Sequence, residues 1–371
     1  MPRGKPASTH RSAPARMSKG RARGGRAGLS QGVFTPSSAI CHAAVTRGGY
    51  CIGMSSVAEE RARPAPAIRF RRPGDRAFQA ALGAVALLVV ALALALAWQL
   101  AVRSHPVWAK FGPAFLWTSE WDPVAEKFGA LPFIYGTLAS SALAMAIALP
   151  LGIGSAVFLA ELAPRGLSAV VSFVIELLAA VPSVILGLLG IFVLVPAVRA
   201  VEPTLTRPLG FLPFFRGAPY GVSLLAAGLI LAFMILPYIT VISREVLLAV
   251  PRSLKEAMLG IGAPRWEVVR HVSLPFARSG ILGASFLALG RALGETMAVT
   301  MVIGNNPKIS LSLLDPSYSM AAVIANELAE AASDMHMAAL IGIGLTLFGI
   351  TLLINAAARL MLYRLTRPRA G

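Results

Sequence analysis

Residues 250–275 read VPRSLKEAMLGIGAPRWEVVRHVSLP. This is the longest positively charged connection between the chain's apolar runs, and it is patterned rather than loose. Ser253 and Glu256 have the spacing of a capping box, which predicts a helix starting there. Gly262 suits the left-handed residue that ends such a helix. Pro264 fits the first turn of a second helix. Val268, Val269 and Val272 then fall on one face, with Arg265 and Arg270 outward. The expected product is a short helix–turn–helix lying flat against an apolar surface. Spacing alone leaves two readings open, an interfacial hairpin without a partner and a docking element.

The surface it lies against is a membrane. Only 14% of the 371 residues are charged, where a soluble domain carries about 25%, and the mean hydropathy is +0.70. Six apolar runs are long enough to cross a bilayer of about 30 Å: roughly 77–102, 133–159, 170–198, 221–242, 280–303 and 337–362. The first lacks a small-residue cleavage site and reads as a retained anchor. The fold class expected is therefore all-α and polytopic, with six transmembrane helices. Pro150, Pro182, Gly187, Gly190 and Pro237 fall within these runs, as close-packing positions or as hinges.

The formal charge of +17 is unevenly spread, since residues 1–76 alone carry +12. A basic tail before a membrane span follows the positive-inside rule. No aromatic or groove-reading motif accompanies it, so nucleic acid is not an expected partner. The segment 244–278 holds six Lys/Arg, and the tail adds Arg359, Arg364, Arg367 and Arg369, whereas 305–336 has one Lys and four acids. These biases place both termini and the loop 250–275 in the cytoplasm, and 103–132 and 305–336 outside. Loop 199–219, with three Arg and one Glu, is a mild exception.

The expected organisation is a basic, disordered tail over 1–76 and a first helix with an outer loop over 77–132. A membrane core over 133–362 and a short tail over 363–371 complete it. Met54 reads as the translation start, with a transit peptide as the rival reading of 1–53. Cys41 and Cys51 lie in this tail, where a reducing cytoplasm is expected. The five histidines match no metal-ligand spacing, and no metal or cofactor is implied.

Charges also stand inside the fifth run, where residues 287–304 read LALGRALGETMAVTMVIG. An ionised group at the centre of a membrane helix costs about 2.5–3.5 kcal/mol on insertion scales. Arg291 and Glu295 are spaced to share a helix face, which should point into the bundle. Glu176, in the third run, is a further acid able to pair with Arg291. One reading is an internal ion pair; the other is a path for an anion, since guanidinium donors match oxyanions two at a time.

The loop 250–275 resembles the Glu-Ala-Ala loop of ABC importer permeases. Glu256, Ala257 and Met258 stand in its first three positions, Gly262 follows, and Val272, Ser273, Leu274 and Pro275 close it. Met258 for Ala and Val272 for Ile are conservative departures. The run from about Pro106 to Leu362 resembles the PstC family of phosphate permeases through WDPVAEKFGALPFIYGTL at 121–138, IELLAAVPSVILGLLGIFVLVP at 175–196 and LGRALGETMAVTMVIGN at 289–305. That resemblance implies a type I importer permease core in the inner membrane. Its partners would be a second permease, a cytoplasmic ATPase dimer and an extracytoplasmic phosphate-binding protein. It implies ATPase coupling through Glu256, Ala257, Gly262, Leu274 and Pro275, and a phosphate path involving Arg291 and Glu295. No G-x-x-x-x-G-K-[ST] phosphate loop is present, so the chain is expected to be a transport subunit without its own ATPase site. Permeation of another oxyanion, such as sulfate or molybdate, and gradient-driven secondary transport are the alternatives.

Overall fold

The computed structural model describes residues 73–366 other than 210, 212, 213, 215, 217 and 219. The expectations for the tail before residue 73, its cysteines and its start site, and for residues 367–371, lie outside the described residues.

Helix α1 spans Pro73–Phe111 and leads through a tight turn into a two-stranded hairpin, β1 (Trp121–Asp122) against β2 (Lys127–Phe128). There follow α2 (Leu131–Val157), α3 (Arg165–Ala179), α4 (Ser183–Leu189), α5 (Val195–Leu209) and α6 (Leu224–Leu248). The loop 250–275 contains α7 (Arg252–Gly260) and α8 (Arg265–Val268). Then come α9 (Leu274–Leu293), α10 (Met297–Val302), α11 (Met320–Glu327) and α12 (Asp334–Thr366). Among the described residues, six helical stretches are long and apolar enough to cross a membrane: Arg76–Leu116, Leu131–Leu162, Ser183–Thr204, Leu224–Leu248, Arg265–Leu293 and Asp334–Arg364.

The number of crossings agrees with the sequence reading; two of their boundaries do not. The run 170–198 is not one helix. It breaks at Ala180–Pro182, leaving α3 as a separate amphipathic helix, because Pro182 has no N–H to continue the ladder. The run 280–303 is also broken. Its helix starts much earlier, at Arg265, and stops at Leu293, where Gly294 ends it.

Three wide turns with i→i−5 bonding interrupt the helices, at Phe158–Leu162, Gly190–Leu194 and Val269–Ser273. Each closes with an N–H from the residue just before a proline: Ala163 before Pro164, Val195 before Pro196, and Leu274 before Pro275. At Pro196 and Pro275, where the helix continues, the ring would collide with the carbonyl four residues back and the wide turn opens room for it; at Pro164 the chain instead leaves the helix, Ala163 being extended. The turn before Pro275 lets α8 run on into α9. The second helix of the loop is thus the first part of a membrane crossing, not a separate surface helix as its pattern predicted.

The core forms where α2 and α6 lie side by side, both running toward the end of the bundle that carries α7 (the loop end). Small residues permit this approach. A Cβ on Gly228 would lie 2.5 Å from Leu143, and one on Gly152 would lie 2.8 Å from Ile239. Close contact of this kind is what holds helices together in lipid, where apolar burial gives no net drive. Gly187 and Gly190 seat α4 on α10 in the same way, against Met301 and Val302; they are packing positions. The most apolar stretch of α1 buries none of its residues within this chain.

The opposite end, called the far end here, is closed by aromatic packing. Trp121, Phe128, Phe133 and Tyr318 meet edge to face, and Phe128 stacks on His336 at 5.6 Å. The Glu327 carboxylate accepts from Trp121 Nε1 at 3.0 Å, with His336 Nε2 at 3.2 Å. Burial, above all, pushes the Tyr318 hydroxyl up to about 12.

Candidate functional site: an arginine at the end of α9 and the loop 250–275

Arg291 does not meet Glu295. Because α9 stops at Leu293, the two residues are not on one helix face. The Glu295 carboxylate instead accepts from the Ala298 N–H at 3.4 Å, at the start of α10. Free N–H groups at a helix start attract a carboxylate, and here that pull replaces the expected i,i+4 pair. The Arg291 guanidinium carbon lies 4.5 Å from the centre of the Tyr238 ring, within the range of a cation–π contact. The Tyr238 hydroxyl donates to the Ala179 carbonyl at 3.2 Å, which fixes the ring.

Two further expectations need correction. Arg291 is exposed within this chain and does not point into its own bundle. Glu176 is exposed too and makes no ion pair with Arg291. It lines a small void with Thr240, Val241 and Arg244. The reason is the break at Ala180–Pro182, which ends α3 beside Tyr238 and aims Glu176 at the lower part of α6. The depth of Arg291 follows from its partner. Tyr238 lies ten residues before the end of α6 at Leu248, or about 15 Å along the axis.

At the loop end, Gly262 has φ +88°. The Ala263 N–H donates to the Met258 carbonyl at 3.2 Å and the Gly262 N–H to that of Leu259 at 3.0 Å, which is the Schellman arrangement. The capping box does not form. The helix starts two residues earlier than its pattern predicted, with Pro251 rather than Ser253 at the N-cap, and no side chain caps it. Pro251 fixes the entering φ, so Ser253 sits within the first turn. Helix α7 buries none of its residues. Glu256, Ala257 and Pro275 are exposed, and Leu274 is half-buried. Leu254, Leu259, Ile261 and Trp266 stand out from the tip, Ile261 being 79% exposed.

One fastening ties this loop to the bundle, and the sequence reading missed it. Glu161 Oε1 accepts from Lys255 Nζ at 2.7 Å and from Ser273 Oγ at 2.7 Å. Both side chains of the ion pair are largely buried, at 12% and 18% exposure. Glu161 and Ser273 each belong to a wide turn, so two of the three wide turns face each other here. A lone acid in ELAPRG, just beyond a long apolar run, was the available signal.

Residues 148–367 match the family described as binding-protein-dependent transport system inner membrane component. The chain is 49% identical over 296 residues to the phosphate transport system permease protein PstC of Mesorhizobium japonicum, covering 78% of this chain and 90% of that protein. It is 45% identical over 289 residues to the PstC of Haemophilus influenzae, covering 76% and 91%. Among solved structures it is similar to a chain of a bacterial alginate ABC transporter in complex with its alginate-bound periplasmic protein. That match has a TM-score of 0.54 and 16% identity over 79% of this chain and 98% of that one, and it shows a shared fold alone. The chain belongs to the binding-protein-dependent transport system inner membrane component family and, within it, to the PstC permeases.

Proposed function

We propose that the chain is the permease subunit of an ATP-driven importer of inorganic phosphate, working beside a second permease, a cytoplasmic ATPase dimer and an extracytoplasmic phosphate-binding protein. It is a transport subunit and not an ATPase. The loop end faces the cytoplasm, together with both chain termini, and the far end receives the binding protein. The single observation that carries the coupling role is α7, a helix with no buried residue whose apolar side chains stand out from the tip. Such a surface calls for a partner, and an ATPase groove supplies one. Glu256 would make charged contacts there, Ala257 would permit close approach, and Gly262, Leu274 and Pro275 would set the shape of the lever.

Arg291 supplies the anion contact. The Tyr238 ring holds the guanidinium without consuming an N–H, so the donors remain free for phosphate oxygens. Its exposure within one chain fits a path completed by the second permease. Glu295, two residues beyond the end of α9, would keep the anion's stay short; Glu176, turned toward Arg244, is not part of this contact. A conducting site must admit an ion without trapping it. Closure of the ATPases would move α7 and, through Glu161–Lys255, the end of α2, which shifts the balance between outward-open and inward-open states. Phosphate uptake by cells carrying Arg291→Lys and Arg291→Ala tests the path. Strong impairment of both is expected, and full uptake by Arg291→Ala ends it. Sulfate and molybdate as competitors in the same assay test the choice of anion.

A further inference from the structure

The loop end holds a second set of cations that the transport path does not use. We propose that Arg165, Arg244, Arg252 and Lys255 form a cradle for one phosphate group, either the headgroup of an anionic phospholipid or a free phosphate ion. A cavity of about 370 Å³ lies between the start of α3, the end of α6 and the start of α7, and these four side chains line it. A single water occupies only about 30 Å³. No carboxylate lines this cavity, although Glu161 and Glu256 line the adjoining one, which shares Arg165, Arg252 and Lys255.

The donors there are largely unspent. Arg165 and Arg252 make no hydrogen bond or ion pair among the described residues. Arg244 gives Nη1 to Glu245 at 2.8 Å, but its buried Nε has no partner. Lys255 is paired with Glu161, so two of the four cations already have a carboxylate partner, while Arg165 and Arg252 do not. Arg165 and Arg252 each open a helix directly behind a proline, and neither helix start has a side-chain cap. The free N–H groups there add to the positive potential. Like charges gathered beside apolar walls such as Leu159, Leu248 and Val250 repel one another strongly. A tetrahedral anion removes that repulsion and meets several guanidinium forks at once. The apolar walls suit the chain-bearing side of a phospholipid, and basic pockets at membrane-helix ends take such headgroups.

The consequence is mechanical. Arg165 lies on α3, Arg244 on α6, and Arg252 and Lys255 on the coupling helix. One bound phosphate group therefore ties α7 to two other helices, next to the Glu161–Lys255 pair. The cradle stands whether or not the transported anion is phosphate.

The test uses the complete transporter in nanodiscs. Radiolabelled inorganic phosphate is the probe in discs of phosphatidylcholine alone. Retained phosphatidylglycerol, read by native mass spectrometry, is the probe in mixed discs. R165Q/R252Q is compared with the charge-matched R359Q/R364Q, and A169F fills the cavity while keeping every cation. The cradle predicts that R165Q/R252Q and A169F each weaken one probe at least tenfold, with R359Q/R364Q within twofold of wild type. Loss of phosphatidylglycerol assigns the lipid source, and loss of inorganic phosphate assigns the free ion. A smaller fall with both probes overturns the proposal, as does an equal loss in R359Q/R364Q or a wild type that binds neither. If R165Q/R252Q fails to assemble, A169F alone decides.

Discussion

The two ends of the bundle are held in opposite ways. At the far end thirteen buried side chains interlock, with Phe115, Phe133 and Ala339 fully covered and Glu327 accepting from two rings. At the loop end no residue of α7 is fully buried, and Lys255 holds it through Glu161 at 2.7 Å and the Leu247 carbonyl at 3.4 Å. Dense packing resists deformation, whereas a segment with few buried contacts moves at low cost. The difference teaches where the bundle is free to yield: under the coupling proposed above, force applied to α7 would reach the bundle through Glu161, with the densely packed far end as the frame.

Each half of this contrast can be broken. The largest effect belongs to the path itself. Arg291→Ala should lower phosphate uptake about 100-fold, on the order of 2.7 kcal/mol in the barrier, while leaving assembly intact. Next comes the fastening. Glu161→Gln should leave α7 loosely held, so that ATP hydrolysis persists while uptake per ATP falls about tenfold. The exchange E161K/K255E should recover part of that loss. Uptake per ATP unchanged in Glu161→Gln would make the pair merely decorative. At the frame, Phe133→Ala should cost about 3–5 kcal/mol of stability, seen as a lower Tm in detergent, with coupling unchanged in the folded fraction. Gly262→Ala comes fourth. A Cβ there meets nothing within 4 Å, so only the left-handed backbone is penalised, by about 1–2 kcal/mol, and uptake should drop a few-fold.

The smallest effect lies in alkaline pH. Tyr318 has its pKa raised from 10.0 to about 12, so the folded state favours the protonated hydroxyl. The stability it contributes is full below pH 10 and is lost as pH rises toward 12. Tyr318→Phe should flatten that part of a stability-against-pH curve.

The count of crossings and the glycine turn were legible because apolar run length and left-handed glycine positions are local properties. What escaped depends on distant residues. The break after Leu293 let Glu295 turn to the start of α10, so a spacing of four no longer meant contact. The break at Ala180–Pro182 carried Glu176 away from Arg291 and toward Arg244. Tyr238 and Glu161 gained their roles from partners on other helices, Arg291 on α9 and Lys255 on α7. The prolines at 164, 196 and 275 carried a readable signal, a wide turn just before each, although Pro150 and Pro237 sit in helices without one.

The central claim is that the tip of the loop 250–275 sits on an ATPase subunit. Single cysteines at Leu259 and Ile261, in intact membranes with the whole transporter present, test it by short-range crosslinking. The account predicts a product joining this chain to the ATPase from at least one position, strengthened or weakened by ATP. An assembled, uptake-competent transporter in which neither cysteine ever reaches the ATPase would contradict it.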